Sequence, residues 1–201
     1  MSDPFAGWNK VGYLNIDPES KQRAAELLTT LLGRLKALFW FHWTAHWQTA
    51  GGHYYADHLL FERLKDETYE EIDPVAETAV GYFGEHAVCP FHVMEHEHEG
   101  MVEMKNLVPT ALDLERGFQD LLGRTIEELE ALGAMTPGLD DMLPAIGHTH
   151  DSHVYLLQQR SGGTGHEATE ASMEWNEEAT HHGGEDEWDE WEDAGFMTEE
   201  V

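Results

Sequence analysis

His58, Glu62, Asp73 and Glu77 carry imidazole and carboxylate side chains, the donor types that bind divalent first-row metals, and their spacing is symmetric. The outer two (58 and 77) and the inner two (62 and 73) share one midpoint, between Glu67 and Thr68. On an α-helix, at about 100° per residue, the four fall within an arc of roughly 100° and face one side. One chain cannot bring them to one ion, because the helical rise of about 1.5 Å per residue holds His58 and Asp73 roughly 22 Å apart. A second copy of the helix, antiparallel and crossing at 67/68, sets His58 and Glu62 of one copy against Asp73 and Glu77 of the other. A two-fold axis then makes two identical metal sites, each shared between subunits.

Such a site needs a long helix, and the sequence supplies four. Asp17-Pro18-Glu19 is a start signal: an acidic cap followed by Pro at the first helical position. Ala24, Leu27, Leu28, Leu31, Leu35, Leu38 and then Phe41 or His42 keep helical period to about Thr49, where Gly51-Gly52 ends the run. A second helix runs from about His53 to Phe83 and stops at Gly84. Residues 85–106 form a connection with room for one short helix. Leu107, Ala111, Leu114, Phe118, Leu121, Leu122, Leu129 and Leu132 mark a third long helix, closed by Gly133. Thr136-Pro137 and Asp140/Asp141 start a fourth, reaching about Arg160, with Pro144 expected near its first turn, where Pro is tolerated. The predicted fold is all-α: a ferritin-like four-helix bundle over residues 17–160 with a long crossover between helices 2 and 3. Residues 1–16 read as an arm. Residues 161–201, Gly/Ser-rich and then acidic, read as a disordered tail.

Composition limits the partners. The formal charge is −29, and all 11 Lys and Arg precede residue 161, whereas the tail has 14 acidic residues. No cationic arm is available to hold a phosphate backbone, so direct nucleic-acid binding is not expected. Such acidity suits solubility in high salt or attraction of cations. No apolar run reaches the roughly 18 residues of a membrane helix. Cys89 is the single cysteine, which points to a reducing, cytoplasmic compartment.

Residues 46–77, HWQTAGGHYYADHLLFERLKDETYEEIDPVAE, resemble the signature of the Dps family of mini-ferritins. The likeness rests on His46-Trp47, a Gly shortly after, His58, an acid at Glu62 and the Asp73-x-x-x-Glu77 pair. It implies a ferroxidase centre at a dimer interface, with His46, His58 and Glu62 from one subunit, Asp73 and Glu77 from its mate, and Trp47 beside it. It further implies oxidation of ferrous iron, typically by hydrogen peroxide, storage of ferric mineral, and a hollow dodecameric homo-oligomer. Mixed imidazole and carboxylate ligation independently favours iron over a thiolate zinc site. Two positions depart from the pattern: Glu62 stands where Asp is commoner, and Pro74 lies inside the second helix, where Pro costs about 3 kcal/mol and removes the bond to the Glu70 carbonyl.

An ordinary ferritin centre, held within one bundle, draws a Glu-x-x-His from each of two helices. That motif occurs only at Glu95/His98, in the connection, and Glu178/His181, in the tail, which disfavours an intrasubunit di-iron site. His42-Trp43 repeats the His-Trp dipeptide one turn earlier and reads as a packed core histidine. His148, His150 and His153 lack an acidic partner in phase and read as structural. His92, Glu95, His96 and Glu99 share a face and read as a hydrated connection, with an accessory metal-uptake site as the alternative. Trp175, Trp188 and Trp191 in the tail leave docking of an unknown partner open. The rival functions are a non-enzymatic acidic shell or scaffold that binds through its tail, and a DNA-compacting protein. The charge decides against the second: duplex DNA in a low-salt gel at neutral pH, without bridging cations, is expected to run unretarded. Retardation there contradicts the reading.

Overall fold

The computed structural model describes residues 14–162; the arm before residue 14 and the tail beyond 162 lie outside them. Five α-helices form among the described residues: α1 (Pro18–Gln48), α2 (Tyr54–Phe83), α3 (Pro90–Glu99), α4 (Leu107–Ala131) and α5 (Pro137–Arg160), with short 3₁₀ turns at Gly51–His53 and Glu85–Val88. Local chemistry fixes the ends. Asp17 accepts from the Ser20 amide and Thr136 from the Leu139 amide, and Pro18, Pro90 and Pro137 occupy first turns, where a missing N–H costs nothing. Gly84, Gly133 and Gly162 stand just past helix ends with positive φ, which side chains with a Cβ resist.

The helices α1, α2, α4 and α5 make the bundle. Helix α1 packs on α2 and α4, and α5 on α4 and α2. Gln48, Asp57, Leu107 and Arg160 line one cavity, so the C-terminal ends of α1 and α5 share one end of the bundle with the N-terminal ends of α2 and α4. The chain leaves α2 at the opposite end, and the connection must therefore run the length of the bundle. This is the expected crossover, and α3 is its one α-helix.

The stripes that bury are the ones with helical period. Leu28, Leu31, Leu35 and Leu38 of α1 meet Phe61, Leu64, Val75 and Ala79 of α2, Phe118 and Leu122 of α4, and Leu139, Leu143 and Leu157 of α5 in one core. Each fully buried Leu or Phe contributes about 1.5–3 kcal/mol. Ion pairs tie the elements: the Arg160 guanidinium is bidentate on Asp57, with Nη2 to Oδ2 at 2.9 Å, and Arg23 reaches Glu128.

Of the two interior helix prolines, Pro74 lies where expected and Pro144 does not. Helix α2 is continuous through Pro74, so Asp73 and Glu77 stay on the helix that carries His58. Helix α5 begins at Pro137, which puts Pro144 two turns inside it rather than near its first turn. Thr136 supplies the earlier cap, and Asp140 falls in the first turn instead of preceding it.

The crossover docks through a close approach. Helix α3 lies on α1 with the buried Arg34 reaching Glu99 at 3.1 Å, Lys36 paired with Glu97, and Gly33 facing the α3 backbone. A Cβ at Gly33 would stand 2.5 Å from the His96 Cβ and 3.0 Å from the Glu97 nitrogen, neither of them a flexible tip. Gly33→Ala is therefore expected to destabilise by about 1–3 kcal/mol in chemical denaturation at fixed protein concentration, although Ala is the better helix former. A stabilised variant contradicts this packing.

Candidate metal centres

The last turn of α1 and the second turn of α2 bring His46 and His58 together. Their rings stack, with centroids 3.8 Å apart and planes at 24°. Each Nδ1–H donates to the other's backbone carbonyl at 3.0 Å: His46 to the His58 oxygen and His58 to the His46 oxygen. A carbonyl only accepts, so both rings carry hydrogen on Nδ1, and a neutral ring held this way has its lone pair on Nε2. That is the tautomer a metal ligand needs. Glu62 follows His58 by one turn and is exposed.

Asp73 and Glu77 are exposed further along α2, about four to five turns past His58, so this chain brings His46 and His58 together with Glu62 one turn along α2 and leaves the other two distant. Trp47, 59% exposed, lies beside Trp43 with centroids 5.0 Å apart.

The α2 face that bears these groups is also apolar. Tyr55, Leu59, Tyr69 and Val80 are large exposed hydrophobics, and by helical phase they fall in the same roughly 100° arc as His58, Glu62, Asp73 and Glu77. Tyr55 with Val80, and Leu59 with Ala76, are spaced about the same midpoint as the metal-type residues. Exposed apolar side chains gathered on one arc of a helix are a common feature of interaction surfaces.

A second constellation lies inside the bundle, and the sequence reading missed it as a unit. His42 of α1, Glu115 of α4 and His150 and His153 of α5 are all buried, and Glu67 and Glu71 of α2 reach them from the rim. Glu115 accepts three hydrogen bonds: at Oε1 from His42 Nε2 (2.7 Å) and His153 Nδ1 (3.1 Å), and at Oε2 from His150 Nδ1 (2.5 Å). The outer nitrogens are also held, His150 Nε2 by Glu71 at 2.9 Å and His153 Nε2 by Glu67 at 3.0 Å. One ligand atom each from His42, Glu115 and His153 lie within 4.8 Å of one another, close enough to grip one ion. His42 is thus packed in the core, as expected, and His150 and His153 do carry acidic partners, from other helices. The Glu-x-x-His test looks along single helices; here no helix holds both a Glu and a His of the cluster. One signal was available: Glu115 lies in phase with the buried Ala111, Phe118 and Leu122.

Burial divides the histidines. For Glu115, burial alone would raise the pKa, but the charge of His150 and hydrogen bonds from all three rings hold it well below the usual carboxylate range. For His42, burial outweighs its bond to Glu115 and lowers the pKa. For His150, burial lowers, yet attraction and hydrogen bonds from Glu115 and then Glu71 prevail and raise it to about 9. A folded pKa above the unfolded one gives stability that is full below about pH 6.5 and lost as pH rises through 9. In the opposite sense, Glu115 and His42 withdraw stability as pH falls through their ordinary values. In metal-free protein, the midpoint of thermal unfolding is expected to drop between pH 6.5 and 9, with the drop abolished in His150→Gln. A flat wild-type profile across that window contradicts the assignment.

Comparison with known proteins locates this architecture. No family model matches the sequence, and the comparison with curated proteins gives no match. Solved structures do match. Dps from Thermosynechococcus elongatus is 19% identical with a TM-score of 0.63, over 70% of this chain and 91% of that one. A Dps protein from Vibrio cholerae O1, described as a member of a broad superfamily of ferritin-like diiron-carboxylate proteins, is 15% identical with a TM-score of 0.63, over 72% and 92%. Dps from Microbacterium arborescens, in a high iron form, is 20% identical with a TM-score of 0.59, over 75% and 99%. The chain therefore has the fold of the Dps structures, a ferritin-like four-helix bundle with one long crossover.

Proposed function

We propose that this chain is a Dps-type iron-storage protein that oxidises ferrous iron at a site shared between two copies and keeps the ferric product inside a closed homo-oligomer, a dodecamer by analogy with the family. Iron is substrate here. His46, His58 and Glu62 of one copy hold it with Asp73 and Glu77 of the other, and Trp47 flanks them. The observation that carries the reading is the reciprocal hydrogen bonding of His46 and His58, which presents two Nε2 lone pairs one turn from a carboxylate. The exposed Tyr55, Leu59, Tyr69 and Val80 on that arc support a second α2 as its cover.

Hydrogen peroxide is the oxidant this chemistry suits. Each of two ferrous ions gives one electron, the O–O bond breaks, and both oxygens end at the oxidation level of water. Carboxylates take up the added positive charge of ferric iron better than neutral ligands do. Removing ferrous iron and peroxide together suppresses hydroxyl-radical chemistry, which protects DNA without contacting it. This reading places the activity in the bundle, residues 17–160, and the single Cys89 fits a reducing cytoplasm. No described helix is long and apolar enough to cross a membrane.

Mixing the assembled protein with ferrous salt and peroxide and following ferric absorbance tests the reading. His58→Ala is expected to slow oxidation by more than the roughly 10–100-fold that follows loss of a group merely supporting a metal ligand. An unchanged rate removes this site and favours a shell without enzymatic activity.

A further inference from the structure

We propose that the bundle interior holds a second metal site, in which His42 Nε2, Glu115 Oε1 and His153 Nδ1 bind one divalent first-row transition ion. Three observations carry it. The first is the donor set: two imidazoles and one carboxylate, the facial arrangement that takes ferrous iron and its neighbours and leaves further positions open.

The second is spacing. Two donors each about 2.1 Å from an ion stand roughly 3.0–3.4 Å apart. Glu115 Oε1 already lies 2.7 Å from His42 Nε2 and 3.1 Å from His153 Nδ1, and the three ligand atoms fall within 4.8 Å of one another. Small shifts convert the hydrogen-bonded triad into a chelate.

The third is the support around it. Glu67 accepts from His153 Nε2–H at 3.0 Å, the carboxylate–histidine contact that orients a metal-bound imidazole. His150 donates to the other Glu115 oxygen and to Glu71, which fixes the carboxylate that must face the ion. The triad itself is buried, whereas the Glu67 side chain is 34% exposed, so the hydrogen-bonded support reaches from the triad to solvent.

Binding displaces the hydrogen from His153 Nδ1 and moves that of His42 from Nε2 to Nδ1. The His42 Nδ1 has no hydrogen-bond partner. The two hydrogen bonds given up at Glu115 Oε1 and the unpartnered His42 Nδ1–H are then set against three metal–ligand bonds, with the His153 proton released to solvent. By helical phase Glu67 and Glu71 lie about opposite the His58–Glu77 arc, so α2 has this site on one side and the intersubunit surface on the other.

Cobalt(II) chloride is the probe, on the full assembled chain, read by anomalous diffraction from soaked crystals and by cobalt bound per chain. Expected are a peak within about 2.3 Å of all three donors, and one equivalent that survives His58→Ala/Glu62→Ala and is lost on adding His153→Gln. A map without that peak overturns the proposal and leaves the cluster a hydrogen-bonded core network. It is overturned equally if the His58→Ala/Glu62→Ala variant retains no cobalt. Should His153→Gln not fold, the map of the wild-type crystal decides alone. A peak in the bundle with none between chains would instead refute the intersubunit reading and leave this one standing.

Discussion

The structure depends on α2 running unbroken from Tyr54 to Phe83 through Pro74. A proline in a helix interior forfeits one backbone hydrogen bond and crowds the preceding turn, at about 3 kcal/mol. Val75 and Ala79, both fully buried just beyond it, anchor the distal half of the helix to the core and offset that cost. Because the helix holds, its phase organises everything else. One arc carries His58, Glu62, Asp73, Glu77 and the exposed apolar side chains; the opposite edge delivers Glu67 and Glu71 to the bundle interior. A break at residue 74 would disconnect the two ends of the outer arc.

The interior shows a second trade. Four of the side chains in the cluster, His42, Glu115, His150 and His153, are fully buried in positions that apolar residues would fill at lower cost. The penalty is contained by saturation: Glu115 accepts three hydrogen bonds, and the outer nitrogens of His150 and His153 each meet a carboxylate. Within it His42 Nδ1 alone lacks a partner, and a network this connected favours one packing of the four helices, since rotating any of them breaks a buried hydrogen bond. The same connectivity makes the cluster a preorganised set of ligands. Fold specificity and metal binding here ask for the same geometry.

The sequence carried most of the architecture, and the reasons are visible in particular residues. Capping and glycine punctuation placed α1, α2, α4 and the end of α5 within a residue or two, because Asp17, Gly51, Gly84 and Gly133 act locally. The symmetric spacing of His58, Glu62, Asp73 and Glu77 was legible because it is a property of one helix. The interior cluster was not, because it takes one or two residues from each of four helices, and their meeting depends on how α2 and α5 rotate about their axes. Glu67 and Glu71 look like ordinary charges on a solvated face until α5 is set beside them. Pro144 was misplaced for a smaller reason: Asp140 and Asp141 competed with Thr136 as a helix start, and the Thr136 cap with Pro137 behind it won.

The central claim is that two chains complete one iron site, and complementation measures it most directly. His58→Ala and Asp73→Ala chains, each inactive alone, are unfolded together and reassembled at equal ratio. In a mixed dimer the intact His58 of one chain faces the intact Asp73 of the other, so half the dimers regain one of two sites. Ferrous oxidation should return to about a quarter of the wild-type rate. Recovery of none, from mixed assemblies shown to contain both chains, would place all the ligands within a single chain and contradict the account.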